Sequence, residues 1–183
     1  VVYDMSVLKQ KVHYLDYSKS FVDNYDIYIF VSSIVSHETE IQEIKKLSKL
    51  GKIIITIGPF ASNNSKAYLD AGSNVIFNEA EFYFLKKDIL NFDLKPKIIN
   101  ETDLETDVNL LPTPYWDYFI ERKIITYGLF KKKLVVPILA TRGCPYSCYH
   151  YCVYPLAQGR KVRSMEPLKI VNEIKYWNKH FKV

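Results

Sequence analysis

Three cysteines, Cys144, Cys148 and Cys152, fall within nine residues, and the chain has no others. An odd, clustered set is not a disulfide framework. Three thiolates at four-residue intervals can be turned toward one centre by a single loop, and thiolate is the soft ligand that iron–sulfur clusters and zinc prefer. Gly143 lets the backbone turn tightly before the first cysteine, and Arg142 is placed to favour thiolate charge. Three cysteines on a four-iron cluster leave one iron open, which is what a reactive cluster needs. S-adenosylmethionine can chelate an open iron through its amino and carboxylate groups, and an electron then cleaves a carbon–sulfur bond; the cofactor carries that chemistry while the protein orients and shields it. Structural zinc is the alternative. It takes four ligands, and His150 is the available fourth, crowded between two of the cysteines. Three inert core cysteines are the third reading.

The elements that must position this loop are legible around it. Leu134 to Ala140 is a strand candidate, with Pro137 an objection. After the loop, Glu166 to Phe181 reads as a helix, with Ile170, Ile174, Trp177 and Phe181 on one face and Pro167 in its first turn. Further back, strand and helix signals alternate. Asp26 to Ser32 reads as a buried strand. His37 to Leu50 reads as a helix with Ser36 as cap, Glu38 and Glu40 in its first turn, Ile41, Ile44 and Leu47 as apolar face, and Gly51 as stop. Ile53 to Ile57 is a strand stopped by Gly58-Pro59. A helix around Ser65 to Ala71 closes at Gly72, Val75 to Phe77 is a strand, and Glu79 to Leu90 reads as helix. This alternation predicts an α/β fold with a parallel sheet, whose ligands bind beyond the carboxyl ends of the strands: here Ser32-Ser33, Gly58-Pro59-Phe60 and Asn78-Glu79. Leu111 to Trp116, proline-punctuated and aromatic, reads as a linker that docks its aromatics.

Composition narrows the class. The chain has 183 residues, 48% hydrophobic and 25% charged, with a net charge of +5. It has material for a real core and is not disordered. The charge is too mild to imply nucleic acid. Only four arginines occur, and three of them, Arg142, Arg160 and Arg163, flank the cysteines; this is coincidence or a local anion-binding role. No stretch of 18 apolar residues exists, so no membrane span is expected. The thiols fit a reducing, cytoplasmic compartment. The first residue is Val1 and no signal peptide is visible, so the chain is expected to start partway into a longer protein.

The run from Thr141 to Glu173 resembles the cluster-binding start of radical S-adenosylmethionine enzymes, within the group fused to a cobalamin-binding domain. That family places R-G-C-P-[FY]-x-C after a strand, then an aromatic before the last cysteine, then YP-x-x-x-G-R-K-x-R. This chain has Arg142-Gly143-Cys144-Pro145-Tyr146-Ser147-Cys148, Tyr151-Cys152, Tyr154-Pro155, Gly159-Arg160-Lys161 and Arg163. It departs from the family's C-x3-C-x2-C by one added residue. The resemblance implies that Cys144, Cys148 and Cys152 ligate a 4Fe-4S cluster and that Tyr151 lies against the adenine of S-adenosylmethionine. Residues 1–92 resemble the latter part of a Rossmann-like cobalamin domain, with Ser32, Ser33, Gly58 and Pro59 facing the corrin. Residues 93–133 then form a linker, and 134–183 the first βα unit of a partial TIM-like barrel. The Asp-x-His-x-x-Gly motif is absent, so no histidine is nominated as a cobalt ligand, and His37 reads as a solvated first-turn residue. The implied function is reductive cleavage of S-adenosylmethionine in a cobalamin-dependent enzyme of methyltransferase type. It would act on a small-molecule substrate, take electrons from a flavodoxin or ferredoxin, and be inactive without the rest of its barrel. The competing expectation is a non-enzymatic Rossmann-like binding protein with a zinc-binding cysteine knuckle. The residues nominate no catalytic side chain.

Overall fold

The computed structural model describes residues 25–85, 97–99, 107–121, 134–146, 148 and 152–183. These fall into two compact units. One holds the described residues within Tyr14–Thr106 and Gly143–Val162; the other holds those within Asp107–Arg142 and Arg163–Val183.

The first unit is built on four parallel strands in sequential order, β1 (Ile27–Val31), β2 (Ile53–Ile57), β3 (Val75–Phe77) and β4 (Lys97–Ile99). Helices α1 (His37–Lys49), α2 (Pro59–Asn63), α3 (Ser65–Ala71) and α4 (Ala80–Phe84) lie between them in sequence. This is the Rossmann-like α/β arrangement that the alternation predicted, and β4 carries the sheet beyond residue 92. The order never reverses among the described strands, so no topological switch point lies among them. The register pairs Val31 with Ile57, Ile57 with Phe77 and Phe77 with Ile99. All four strands therefore stop at one level, and the loops after β1, β2 and β3 share one edge.

Burial follows from the pattern of each strand. Apart from Thr56, whose hydroxyl is bonded to that of Ser73, β2 and β3 are apolar on both faces and buried on both at their centres, as parallel strands covered by helices must be. Tyr28, Phe30, Ile54 and Ile76 join Ile44 and Leu47 of α1 and Tyr68 and Ala71 of α3 in one core. β1 differs from the expectation of a buried strand. Among the described strands it stands at one end of the sheet, and while Tyr28 and Phe30 point inward, Ile29 and Val31 are exposed. An unbroken apolar run specifies a strand but not how many of its faces find cover.

The helix boundaries mostly match the local signals. Gly51 and Gly72 end α1 and α3 with positive φ, as glycine permits. Ser36 precedes α1 but its side chain caps no backbone amide; its hydroxyl donates to Glu40 instead. The helix expected over 79–90 ends at Phe84, with Leu85 as its cap; residues 86–90 lie outside the described residues. The short α2, which no signal announced, begins with Pro59 at its first position.

In the second unit, the strand expected over Leu134 to Ala140 is not formed. A single bridge residue at Leu134 is followed by irregular backbone. Pro137 removes the amide that a continuous ladder needs. The strand is instead the two-residue β5 (Thr141–Arg142), paired antiparallel with β6 (Arg163–Ser164). Helix α7 (Pro167–Phe181) follows. Its buried stripe is Glu173 and Trp177, whereas Ile174 is 47% exposed, which corrects the predicted apolar face. Trp177 donates its indole N–H to Glu173 at 3.3 Å. In the proline segment Val108, Leu111 and Pro114 are buried and Trp116 is half-buried against Phe119, while Tyr115 is exposed. A 3-10 turn at Val108–Leu110, capped by Asp107, is tied to the start of α7. The Glu166 N–H donates to Asn109 Oδ1 at 2.7 Å, and Lys169 Nζ donates to the carbonyls of Asn109 and Leu111. Helix α5 (Asp117–Glu121) follows Trp116.

Candidate functional site

The cysteine loop is closed on itself at its base. The Cys144 amide donates to the Gly159 carbonyl at 3.1 Å. Gly143, with φ +88°, runs so close to the returning chain that a Cβ would stand 2.2 Å from the Lys161 carbonyl oxygen. Only glycine fits there, for its backbone angle and for its lack of a side chain. At the far end of the cysteine run, the Cys152 amide donates to the Cys148 carbonyl at 3.2 Å. Helix α6 (Tyr154–Gln158) then begins, with Pro155 in its first turn, and packs on α2 within the same unit.

Cys144, Cys148 and Cys152 are free thiols, each half-buried. Their donor chemistry suits an iron–sulfur cluster: soft, unpaired and partly accessible. Among the described residues, however, no three His, Cys, Asp or Glu side chains come together as a ligand set. The loop places the sulfurs on one short closed segment without converging them. Tyr151 and His150 lie outside the described residues. Of the flanking arginines, Arg142 is buried in β5, Arg163 is half-buried and Arg160 is exposed.

The shared carboxyl edge of the sheet carries the other nominated residues. Ser32 is bound into the scaffold. Its hydroxyl donates to the Ile57 carbonyl at 3.0 Å and accepts the Ala61 amide at 2.9 Å, so it ties the end of β1 to β2 and α2. Gly58, φ +111°, makes this possible, because a Cβ there would sit 3.2 Å from the Ser32 oxygen. The Ser33 amide donates to Glu40 Oε1 at 3.1 Å and the Ser33 hydroxyl accepts the Val35 amide at 3.3 Å. Pro59 starts α2. Asn78 and Glu79, at the end of β3, are buried. At the tip of the β1–α1 loop on this edge, Ile34 and Val35 are 74% and 91% exposed.

Sequence reasoning missed His37, Glu40 and Tyr68. Glu40 is only 2% exposed. Its carboxylate accepts hydrogen bonds from the Ser33 amide, the Ser36 hydroxyl and, at 2.6 Å, the Tyr68 hydroxyl. His37 Nδ1 lies 3.2 Å from the Tyr68 oxygen, and its ring stands edge-on to Phe60 at 5.2 Å between centroids. His37 is therefore not the solvated first-turn residue expected. The i, i+3 spacing of His37 and Glu40 was visible, but Tyr68 lies on another helix, 28 residues beyond Glu40.

No protein-family model matches the chain. The chain resembles a methyltransferase. It is 26% identical over 153 residues to a protein of Synechocystis sp. strain PCC 6803 described as the uncharacterized methyltransferase sll1242, covering 82% of this chain and 26% of that protein. The chain thus spans about a quarter of the relative's length. No described helix is long and apolar enough to cross a membrane.

Proposed function

We propose that this chain is the cluster-binding part of a cobalamin-dependent radical S-adenosylmethionine enzyme of methyltransferase type. The observation that carries the reading is the closed loop of three free thiols, Cys144, Cys148 and Cys152, folded into the same compact unit as the carboxyl edge of a parallel sheet. The likeness to a methyltransferase supports the reaction class. A cluster held by three thiolates keeps one iron open and supplies the electron that cleaves S-adenosylmethionine. The chain's own part is to hold the loop neck closed at Gly143 and to present the thiols, with Tyr151 against the adenine. The sheet edge at Ser32, Ser33, Gly58 and Pro59 supplies a level platform with an exposed apolar tip, which suits the flat corrin of cobalamin. On this reading the cobalamin domain runs through β4 rather than ending at residue 92, the residues after β4 up to 133 join it to the barrel, and 134–183 begin that barrel. The enzyme is cytoplasmic, acts on a small molecule, and takes electrons from a flavodoxin or ferredoxin.

Anaerobic reconstitution tests the cluster. The chain should take up about four irons and turn brown, and changing any one of the three cysteines to alanine should remove the visible charge-transfer absorption. A colourless protein that takes up zinc in place of iron, or full iron retention in all three variants, would defeat the proposal.

A further inference from the structure

Helix α7 buries an acid that the described residues do not neutralise. Glu173 is 5% exposed and sits in mid-helix, where a charged side chain is seldom buried so fully without a partner. Its one hydrogen bond comes from the Trp177 indole to Oε1 at 3.3 Å, a neutral donor at the far end of the useful range. Oε2 takes no donor, and no described lysine, arginine or histidine forms an ion pair with the carboxylate. Glu40, buried to the same degree, takes three donors. A carboxylate kept inside on one long bond costs stability, so Glu173 Oε2 is a strong acceptor held open.

Glu173 lines an open cleft of about 380 Å³ between the proline segment and α7, together with Thr113, Glu166, Leu168, Asn172 and Tyr176. All of these residues lie in one compact unit. Lys169 also lines the cleft, one turn before Glu173, but its Nζ donates to the carbonyls of Asn109 and Leu111. The lining thus sets two carboxylates against one ammonium that is already engaged. Leu168 and Tyr176, 68% and 43% exposed, add apolar wall, and the Thr113 hydroxyl and Asn172 amide add acceptor oxygens. A cleft of this size is larger than a bare ion needs and matches the smaller small-molecule sites. We infer that it binds an organic cation, with a primary ammonium or guanidinium head donating to Glu173 Oε2 and an alkyl stem along Leu168 and Tyr176. That chemistry is shared by a free alkylamine or alkylguanidine and by a lysine or arginine side chain. The site is separate from the cysteine loop and the sheet edge, and it stands or falls independently of the function proposed above.

Two measurements on the full chain test it. Nitrogen–proton correlation NMR of protein labelled only at tryptophan gives one indole signal for each of the 2 tryptophans, and Trp116→Phe assigns that of Trp177. Titration with butylguanidinium, butylammonium and their neutral mimic butylurea reads the carboxylate through the indole N–H bonded to it. The Trp177 signal should move and saturate at about millimolar concentration of at least one of the two cations, and should respond neither to butylurea nor to sodium chloride at the same concentration. Glu173→Gln keeps the shape of the side chain and an acceptor for the indole, and should weaken cation binding by about 10–100-fold, the worth of a charge-assisted hydrogen bond. Capped tripeptides with arginine or lysine between two glycines separate the sources: binding as tight as that of the free cation assigns the cleft to a side chain of a polypeptide, and binding of the free cation alone assigns it to a small molecule. Urea unfolding without ligand is the second readout. Glu173→Gln should be as stable as the unmodified chain or more so, since it removes an uncompensated buried charge. A clearly less stable Glu173→Gln chain overturns the proposal, because the carboxylate is then part of the fold. So does the lack of a saturable shift with either cation, equal binding of butylurea, or cation binding unchanged in Glu173→Gln.

Discussion

Replacing Gly143 by alanine tests whether the cysteine loop must be closed at its neck to hold metal. The added Cβ would stand 2.2 Å from the Lys161 carbonyl oxygen and 3.0 Å from its carbon, where real contacts stop near 3.0 Å. The obstacle is backbone, so no side-chain rotation relieves it, and the neck must open by several tenths of an ångström. The left-handed backbone adds about 1–2 kcal/mol for any residue with a Cβ. Opening the neck also strains the bond from the Cys144 amide to the Gly159 carbonyl, a contribution of roughly 0.5–1.5 kcal/mol. Together these amount to about 1.5–3.5 kcal/mol against the closed loop, or about 10–300-fold in occupancy at 1.4 kcal/mol per decade. The control is Gly159→Ala in the same loop, which has a similar φ of +76° and open space around the added atom. The assay is iron retained by the reconstituted protein against increasing chelator. Gly143→Ala should lose iron at far lower chelator than Gly159→Ala. Equal retention in the two variants would refute the argument that the close approach at the neck, rather than glycine's backbone freedom alone, closes the loop.

Other outcomes follow from the core and the hydrogen bonds. Tyr68→Phe takes one of three donors from a buried carboxylate and should lower stability in urea by about 1.5–3 kcal/mol; a change within 0.5 kcal/mol would show that Glu40 does not depend on it. Trp177→Ala should cost about 3–5 kcal/mol, whereas Ile174→Ala on the exposed side of α7 should stay within about 1 kcal/mol, and equal losses by thermal unfolding would restore the apolar face read from the sequence. Gly72→Ala places a Cβ 2.3 Å from the Ser48 hydroxyl at φ +115°. It should destabilise by at least the 1–2 kcal/mol or so of the backbone term, and Ser48→Gly in the same chain should recover part of the loss; an unchanged denaturation midpoint in the single variant would contradict the close packing of α1 on the end of α3.

The sequence by itself determined the class of fold and the loop that carries chemistry. Runs such as Ile53–Ile57 and Val75–Phe77, each closed by glycine, proline or a polar pair, are strands on local grounds. The period of Ile41, Ile44 and Leu47 makes α1 a helix wherever it packs. The clustered thiols and the glycine before them are equally local. Tertiary structure decided what depends on neighbours distant in the chain. β1 is exposed on one face because no described element covers Ile29 and Val31, a fact of partners and not of composition. The strand over 134–140 fails because a run with Pro137 inside it cannot supply an unbroken ladder, and pairing moves to Thr141–Arg142, whose partner lies more than 20 residues on. Glu40 shows the difference most plainly. In the sequence it is a first-turn acid that complements the helix dipole, and such residues are usually solvated. In the fold, donors from the β1–α1 loop and from α3 converge on it and draw it inside. That convergence turns His37 from a solvated first-turn residue into a half-buried imidazole held against Tyr68, which only the packing of α3 against α1 brings within reach.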